Sequence, residues 1–152
     1  VYKIKFSLME KIAVASDHAG YQLKNTVIEY LNSKGFETVD FGCYTGESCD
    51  YPDYAHPLVA AIESGEFARG FVFCGSGNGI NMTVNKHQGI RSAICWNKEV
   101  AELARTHNNA NVCSIPSRFI SEPLTFEIVD IFLNGQFEGG RHERRINKIP
   151  LS

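Results

Sequence analysis

Short apolar runs alternate with longer amphipathic segments along this chain. Five runs of four or five residues fit buried strands, because continuous apolar runs of this length are typical of parallel strands covered on both faces. They are Ile12–Ala15, Thr38–Phe41, Phe71–Cys74, Ser92–Cys95 and Asn111–Ile115. Since each gap between them is long enough for further structure, the pattern predicts parallel strands joined by helices.

Apolar residues in these gaps recur at helical spacing and predict five helices. The predicted helices are Gly20–Ser33, Ala55–Ser64, a third beginning within Gly77–Asn85, Lys98–Thr106, and a fifth running from an N-cap at Ser121 to Asn134. Gly42–Asp53 is predicted to be a long loop and Gly135–Ser152 a polar tail. The alternation predicts an α/β fold, a three-layer Rossmann-like domain with a five-stranded parallel sheet and helices on both faces. We assign residues 11–149 to this single domain and residues 1–10 to an N-terminal extension, partly non-native if Met9 is the natural start.

Composition narrows the class of protein. The formal net charge is -2, and no run of five or more basic residues is present, so electrostatic binding to nucleic acid would be weak. Five cysteines without a C-x-x-C pair favour a reducing compartment, and we expect a cytoplasmic protein. No apolar run approaches the length of a membrane span. We therefore expect neither a nucleic acid nor a membrane as a partner.

A glycine-rich turn at the end of the third predicted strand is the strongest local signal. Cys74 ends the strand, and Gly75, Gly77 and Gly79 follow it. Glycines permit positive φ and close approach, and the free N–H groups of the helix that begins here form a site for an anion or oxyanion. We expect this helix start to lower the pKa of Cys74.

Nucleotide-binding motifs do not fit this turn. Its glycines lack the spacing of a dinucleotide-binding motif, and no Lys-Ser/Thr pair follows as a Walker motif requires. A tight turn beside a buried cysteine is the plainer interpretation of Cys74 taken alone. Three clustered glycines at the end of a strand favour a functional loop.

Further polar clusters flank other predicted elements. Asp17 and His18 end the first strand, where Asp17 is a candidate helix cap and His18 is expected to face the crevice at the strand ends. His107 follows the fourth helix and could cap it or catalyse. Arg141 and Arg145 are four residues apart, so on a helix they share a face. That face could clamp a phosphate or simply be solvated.

Six short motifs occur in the order in which one enzyme family carries them. They are Ser16–Gly20, Asp50–Asp53, Cys74–Gly79, Asn85–Lys86, His107–Asn111 and Gly139–His142. Together they resemble the type B ribose-5-phosphate isomerases and their galactose-6-phosphate isomerase relatives. The resemblance implies an aldose–ketose isomerase that interconverts ribose 5-phosphate and ribulose 5-phosphate through a cis-enediolate, with no metal or organic cofactor.

The same resemblance implies the site residues. It makes Cys74 the base and His107 the acid that opens the sugar ring, with Ser76 and Asp17 in the catalytic group. The implied substrate contacts are Asp17, His18, Tyr51, Gly75, Ser76, Gly77, Asn78, Gly79, Asn108, Arg118, Arg141 and Arg145. His18 and the three arginines are expected at the phosphate. Family members that lack the cysteine carry a glutamate where this chain has Ile80, so Cys74 has no rival as the base.

Two other functions stay open. One is an isomerase of a six-carbon sugar phosphate, allose 6-phosphate or galactose 6-phosphate; the other is a non-catalytic flavodoxin-like module that binds phosphate or nucleotide. The resemblance also implies a homodimer whose sites take residues from both chains, with a dimer of dimers left open. The tail follows the last helix and is expected to lie too far from the glycine loop to reach it within one chain.

Overall fold

All five predicted apolar runs are strands of one parallel sheet. The computed structural model describes residues 10–151, so most of the predicted N-terminal extension lies outside the described residues. The strands are β1 (Lys11–Ser16), β2 (Glu37–Asp40), β3 (Arg69–Cys74), β4 (Ser92–Ile94) and β5 (Val112–Pro116). Their order across the sheet is β2-β1-β3-β5-β4, and every neighbouring pair is parallel. The predicted five-stranded parallel sheet is confirmed.

A helix follows each strand, and a short sixth helix lies in the tail. The helices are α1 (Tyr21–Ser33), α2 (Tyr51–Glu63), α3 (Asn78–Val84), α4 (Lys98–Thr106), α5 (Glu122–Asn134) and α6 (Arg141–Ile146). The predicted cap of α5 is confirmed, because the side chain of Ser121 accepts a hydrogen bond from the Leu124 N–H at 3.3 Å. Within residues 10–151 no helix has the length and apolar character needed to cross a membrane.

The predicted start of one helix is wrong by about one turn. Helix α2 begins four residues earlier than predicted, since extended Asp50 precedes it and Pro52 occupies the first turn, where a missing N–H costs little. The predicted loop is correspondingly shorter and ends at Asp50. The tail, predicted only as a polar segment in which Arg141 and Arg145 would share a face if it were helical, contains α6.

Side chains of the central strands alternate between two hydrophobic cores. On β3, Phe71 and Phe73 face the core formed with α1, α4 and α5, whereas Val72 and Cys74 face the core formed with α2 and α3. Full burial of a side chain as large as Phe contributes about 1.5–3 kcal/mol, so both cores hold the helices to the sheet. The predicted helices on both faces are confirmed.

The two ends of the parallel strands define two opposite edges of the sheet. Because the strands are parallel, β1, β3 and β5 all end at one edge, which we call the carboxyl edge. Helices α4 and α5 run back across the sheet and end at the opposite edge, which we call the amino edge. The six residues of β3 rise about 3.3 Å each, so the two edges are roughly 16 Å apart.

Candidate active site

Backbone conformation at one position and close packing at two explain the three glycines that follow Cys74. Gly77 has φ +78°, in the left-handed region. A Cβ at Gly75 would lie 3.1 Å from Nη1 of Arg118, and a Cβ at Gly79 would collide with the ring of Tyr51. The loop therefore fits beneath two of the side chains predicted to contact substrate.

Cys74 lies at the carboxyl edge and is almost wholly buried, with 4% of its surface exposed. Burial is the main cause that raises the pKa of the thiol, and the nearby charge of Asp17 raises it further. Backbone N–H groups of Ile80, Gly77 and Ser76 lower the pKa but do not outweigh burial. The lowered pKa expected from the sequence is wrong for this chain, because desolvation by burial outweighs the backbone N–H groups at the start of α3.

Asp17 connects β1 to the start of α1. Its N–H donates to the Phe73 carbonyl at 3.1 Å, and its Oδ1 accepts from the Gly20 N–H at 3.0 Å. Gly20 is itself the N-cap residue of α1 and has no side-chain cap hydrogen bond, so the prediction that Asp17 caps this helix is wrong. Asp17 instead holds the turn that precedes α1; it is only 7% exposed, and its charge raises the pKa of Cys74.

A cavity of about 470 Å³ opens beside Asp17. It is lined by Asp17, His18, Ser48, Cys49, Asp50, Tyr51, Pro52 and Asp53. His18 Nδ1 lies 3.3 Å from the backbone nitrogen and 3.4 Å from the carbonyl oxygen of Cys49, so this backbone can hold either neutral tautomer. Cys49 was not predicted as a site residue, and it lacks a local sequence signal because its place depends on the fold of the loop.

A buried lysine anchors the loop that carries this cavity wall. Lys24 on α1 is fully buried, and its Nζ donates to Oδ1 of Asp40 at 2.8 Å and to the carbonyl of Cys43 at 2.5 Å. Sequence reasoning missed it, although Lys24 lies on the same helical face as Val27 and Leu31. A lysine within an apolar stripe is the signal that could have identified it.

The outer side of the glycine loop has an apolar rim. Ser76 and Asn78 line a second cavity of about 480 Å³ with Ile94, Trp96, Pro116 and Phe119. Trp96 is 55% exposed and Phe119 is 76% exposed. These aromatic side chains place an apolar surface directly beside the predicted catalytic loop.

The remaining predicted residues lie at the amino edge. His107 ends α4, and its ring stacks on that of His142 with ring centroids 4.0 Å apart. Burial, followed by the charge of His107, lowers the pKa of His142. Arg141 and Arg145 lie on the exposed side of α6.

The tail reaches His107 by folding back onto α4. The Glu138 N–H donates to the Thr106 carbonyl at 2.9 Å, and Glu138 Oε2 lies 3.6 Å from Nε2 of His107 and 3.5 Å from Nε2 of His142. Neither Glu138 nor His142 was assigned a role from the sequence. Their contact joins parts of the chain about thirty residues apart, which no local pattern reveals.

One chain therefore divides the predicted site between the two edges of the sheet. The carboxyl edge holds Asp17, His18, Tyr51, Cys74, Gly75, Ser76, Gly77, Asn78, Gly79 and Arg118. The amino edge holds His107, Asn108, Arg141 and Arg145. The predicted base and the predicted ring-opening acid are not brought together within the chain.

Comparisons with known proteins identify the family. The family model described as Ribose/Galactose Isomerase matches residues 12–149. Ribose-5-phosphate isomerase B of Escherichia coli strain K12 is 40% identical over 141 residues, which cover 93% of this chain and 95% of that protein.

Solved structures of similar proteins support the same family. The crystal structure of a ribose 5-phosphate isomerase from Thermotoga maritima has a TM-score of 0.91 and 51% identity, covering 93% of this chain and 97% of that one. Ribose-5-phosphate isomerase B from Mycoplasma genitalium, solved with bound ribulose-5-phosphate, has a TM-score of 0.88 and 41% identity, covering 93% and 95%. With its sequence motifs, its sheet and nearly its whole length matched, this chain belongs to the ribose/galactose isomerase family.

Proposed function

We propose that the protein interconverts ribose 5-phosphate and ribulose 5-phosphate. The observation that carries the proposal is the thiol of Cys74, which ends β3 directly before a glycine loop; the charge of Asp17 and the backbone N–H groups of Ser76 and Gly77 both act on it. The relative from Mycoplasma genitalium, which shares this fold, is described with the ketose product bound. The adjoining cavity of about 470 Å³ has room for a pentose phosphate.

In the proposed reaction Cys74 moves one proton between two neighbouring carbons. Its thiolate takes the proton from C2 of the open-chain aldose, and a cis-enediolate forms. A proton passes from the C2 oxygen to the C1 oxygen, and the thiol returns its own proton to C1 to give the ketose. The N–H groups of the loop from Gly75 to Gly79 stabilise the negative charge on the substrate oxygens. Ser76 accepts from the Asn78 N–H at 3.2 Å, so its own hydroxyl hydrogen remains available to a substrate oxygen.

The raised pKa of Cys74 has two consequences for this step. Less thiolate is present at neutral pH, but the thiolate that forms is a stronger base. A cationic group brought near Cys74 on assembly or substrate binding would increase the thiolate fraction. The basic residues of the amino edge can supply that charge only from a second chain.

We further infer a homodimer in which each site combines the carboxyl edge of one chain with the amino edge of the other. The separation of roughly 16 Å between the edges supports this, since it is too large for one hydrogen-bonded site. The exposed rings of Trp96 and Phe119 beside the glycine loop offer an apolar surface to bury in a two-fold interface.

In this dimer His107 from a second copy opens the sugar ring, and Asn108 of that copy holds a sugar oxygen. The phosphate lies between His18 and Arg118 of one chain and Arg141 and Arg145 of the other. Guanidinium groups suit this task because they form paired hydrogen bonds to phosphate oxygens. The site then holds its base, its acid and its phosphate-binding residues.

The test is a turnover assay with ribose 5-phosphate and allose 6-phosphate as alternative substrates. We expect a strong preference for the five-carbon sugar, and we expect Cys74→Ala to lower kcat by about 10²–10⁴-fold because the positioned base is lost. Cys95→Ala is the matched control, since it removes another buried thiol at the end of β4. Circular dichroism checks that both variants fold.

Three results would count against the proposal. A preference for allose 6-phosphate indicates the six-carbon alternative. A Cys74→Ala variant that keeps more than about a tenth of wild-type kcat contradicts the assigned base. Flavin or nucleotide absorbance in the purified protein, together with no turnover, supports the binding-module alternative.

A further inference from the structure

Three metal-ligating side chains converge at the amino edge. One ring nitrogen each of His107 and His142 and a carboxylate oxygen of Glu138 all lie within 4.8 Å of one another. The two histidine-to-glutamate distances are 3.6 and 3.5 Å. In a tetrahedral site with bonds of about 2.0–2.1 Å, neighbouring ligand atoms are about 3.3–3.4 Å apart. Glu138 is therefore within a few tenths of an ångström of ligand spacing to both rings.

The donor set suits a divalent transition metal. Two imidazoles and one carboxylate are the three protein ligands of an open zinc site, in which water occupies the fourth position. In the single chain the Glu138 side chain is 56% exposed and accessible to solvent, while the His142 side chain is 9% exposed.

The backbone fixes the approach of the three residues. The Glu138 N–H donates to the Thr106 carbonyl at 2.9 Å, next to His107, and the His142 N–H donates to the Gly139 carbonyl at 3.1 Å. The two rings are stacked and inclined by only 15°, so both side chains must turn before their nitrogen lone pairs point at one ion. The guanidinium charges of Arg141 and Arg145 oppose a cation here, so the affinity is lower than for the same ligands in a neutral setting.

We propose that His107, Glu138 and His142 bind one divalent transition-metal ion, such as Zn²⁺, and that the bound ion inhibits the enzyme. The inhibition rests on the proposed function, because it assumes that His107 opens the sugar ring. A metal on Nε2 of His107 occupies the lone pair that would exchange a proton with the sugar. The ion thus acts as an inhibitor and takes no part in the isomerisation.

A second histidine cluster provides a matched control. On α2 and after α3, His56 Nδ1 lies 2.7 Å from His87 Nε2, and His87 Nδ1 lies 2.7 Å from Glu63 Oε1. The two rings are directly hydrogen-bonded, so no ion fits between these nitrogens. This cluster has the same residue types but lacks ligand spacing.

The experiment titrates chelator-treated protein with Zn²⁺ by calorimetry and with Co²⁺ by visible absorption. We expect one ion per chain, with the d–d absorption of Co²⁺ bound by nitrogen and oxygen. His142→Asn and Glu138→Gln should each weaken binding at least about 10-fold, because each removes one ligand. His87→Asn should leave the affinity unchanged, and thermal unfolding checks that all variants are folded.

Inhibition is measured with ribose 5-phosphate in the same buffers. We expect Zn²⁺ to inhibit wild type and His87→Asn over the concentration range in which it binds, and a chelator to restore turnover. Inhibition of the Glu138→Gln variant should require a higher Zn²⁺ concentration, in proportion to its weaker binding. This match between binding and inhibition links the effect to the three named residues.

Several results would overturn the inference. Unchanged affinity in both His142→Asn and Glu138→Gln does so, as does loss of binding in His87→Asn or a cobalt–thiolate charge-transfer band that reports a cysteine ligand. Binding without inhibition contradicts the inhibitory role. A chain that binds the ion through these residues but turns over no sugar phosphate supports the metal site and contradicts the proposed function, so the two failures are distinguishable.

Discussion

At the scale of single residues, Cys74 is subject to opposing effects on its thiol. Burial and the carboxylate of Asp17 raise the pKa, whereas the backbone N–H groups of the glycine loop lower it. The net direction is upward, so at neutral pH the thiol holds its proton more firmly than an ordinary cysteine does.

The first prediction concerns alkylation of this thiol. We expect iodoacetamide to react with Cys74 more slowly at pH 7 than with the same residue in denatured protein, because less thiolate is present. The rate should keep rising with pH beyond about 8.5, the ordinary value for a thiol. Mass spectrometry of the Cys74 peptide across pH measures the rate, and turnover should fall in parallel.

Bound ribose 5-phosphate should protect Cys74, and the denatured chain is the control. A rate that already reaches its plateau below pH 8 would contradict the raised pKa. Labelling of Cys49 with Cys74 left free would contradict the assignment of the reactive thiol. Cys49 has its own pKa raised to about 12, chiefly by burial, and should react slowly.

The position of Cys74 could be predicted from the sequence, but the direction of its pKa shift could not. An apolar run that ends in clustered glycines is a local pattern, and it identifies the loop. Burial depends on what packs over the loop, and here Tyr51 and Arg118 come from elements distant in sequence. Lys24 differs in this respect, because its place in an apolar stripe is visible in the sequence.

At the scale of elements, α6 is a six-residue helix whose side chains face two ways. His142 and Ile146 are buried, while Arg141 and Arg145 are exposed. The spacing of four residues predicted that the arginines share a face. The buried residues fix the helix against the body of the protein and so orient the arginines.

The second prediction tests these arginines as phosphate ligands. Arg141→Ala and Arg145→Ala should each raise KM for ribose 5-phosphate by about 10- to 100-fold, since a hydrogen bond to a charged group contributes about 1.5–3 kcal/mol. Their effect on kcat should be smaller, because the phosphate is remote from the reacting carbons. Steady-state kinetics measure both constants.

Arg144→Ala is the control, because it removes the same charge from the same helix without touching the predicted pair. Equal increases in KM for all three variants would mean that α6 acts through its overall charge. Unchanged KM in Arg141→Ala and Arg145→Ala would mean that the phosphate is held elsewhere.

Element types were easier to predict than their ends and mutual contacts. Apolar periodicity identified all five strands and the first five helices. The start of α2 was missed because Tyr51 and Pro52 resemble loop residues, although Pro suits a first helical turn. The stacking of His107 on His142 could not be predicted, since it arises only when the tail folds back onto α4.

At the scale of the whole molecule, the parallel sheet separates the two halves of the proposed site. Strand ends carry Cys74 to one edge, and returning helices carry His107 to the other. This arrangement agrees with the sequence-based expectation that the tail cannot reach the glycine loop within one chain. In a two-fold dimer, the carboxyl edge of each chain would meet the amino edge of the other. The dimer would therefore contain two complete sites.

The third prediction is complementation between inactive chains. Cys74→Ala and His107→Asn are each expected to be nearly inactive. Unfolded and refolded together at equal amounts, they should recover about a quarter of wild-type turnover, because half of the dimers are mixed and each mixed dimer has one intact site. Turnover of the mixture against each parent, with mass measurement of the dimers, provides the test. Mixed dimers without recovery would place both residues in the same site from the same chain.

The distance between the two edges of the sheet also determines how a defective chain affects its neighbours in a mixed population. A wild-type chain paired with excess Cys74→Ala keeps one working site, because its own thiol meets an intact histidine. Paired with excess of the double variant Cys74→Ala/His107→Asn, it keeps none. The double variant should therefore be dominant-negative, because it lowers the turnover of the wild-type chains. The single variant should be recessive, because it leaves that turnover unchanged. Equal turnover per wild-type chain in the two co-refolded mixtures would contradict a site shared between chains.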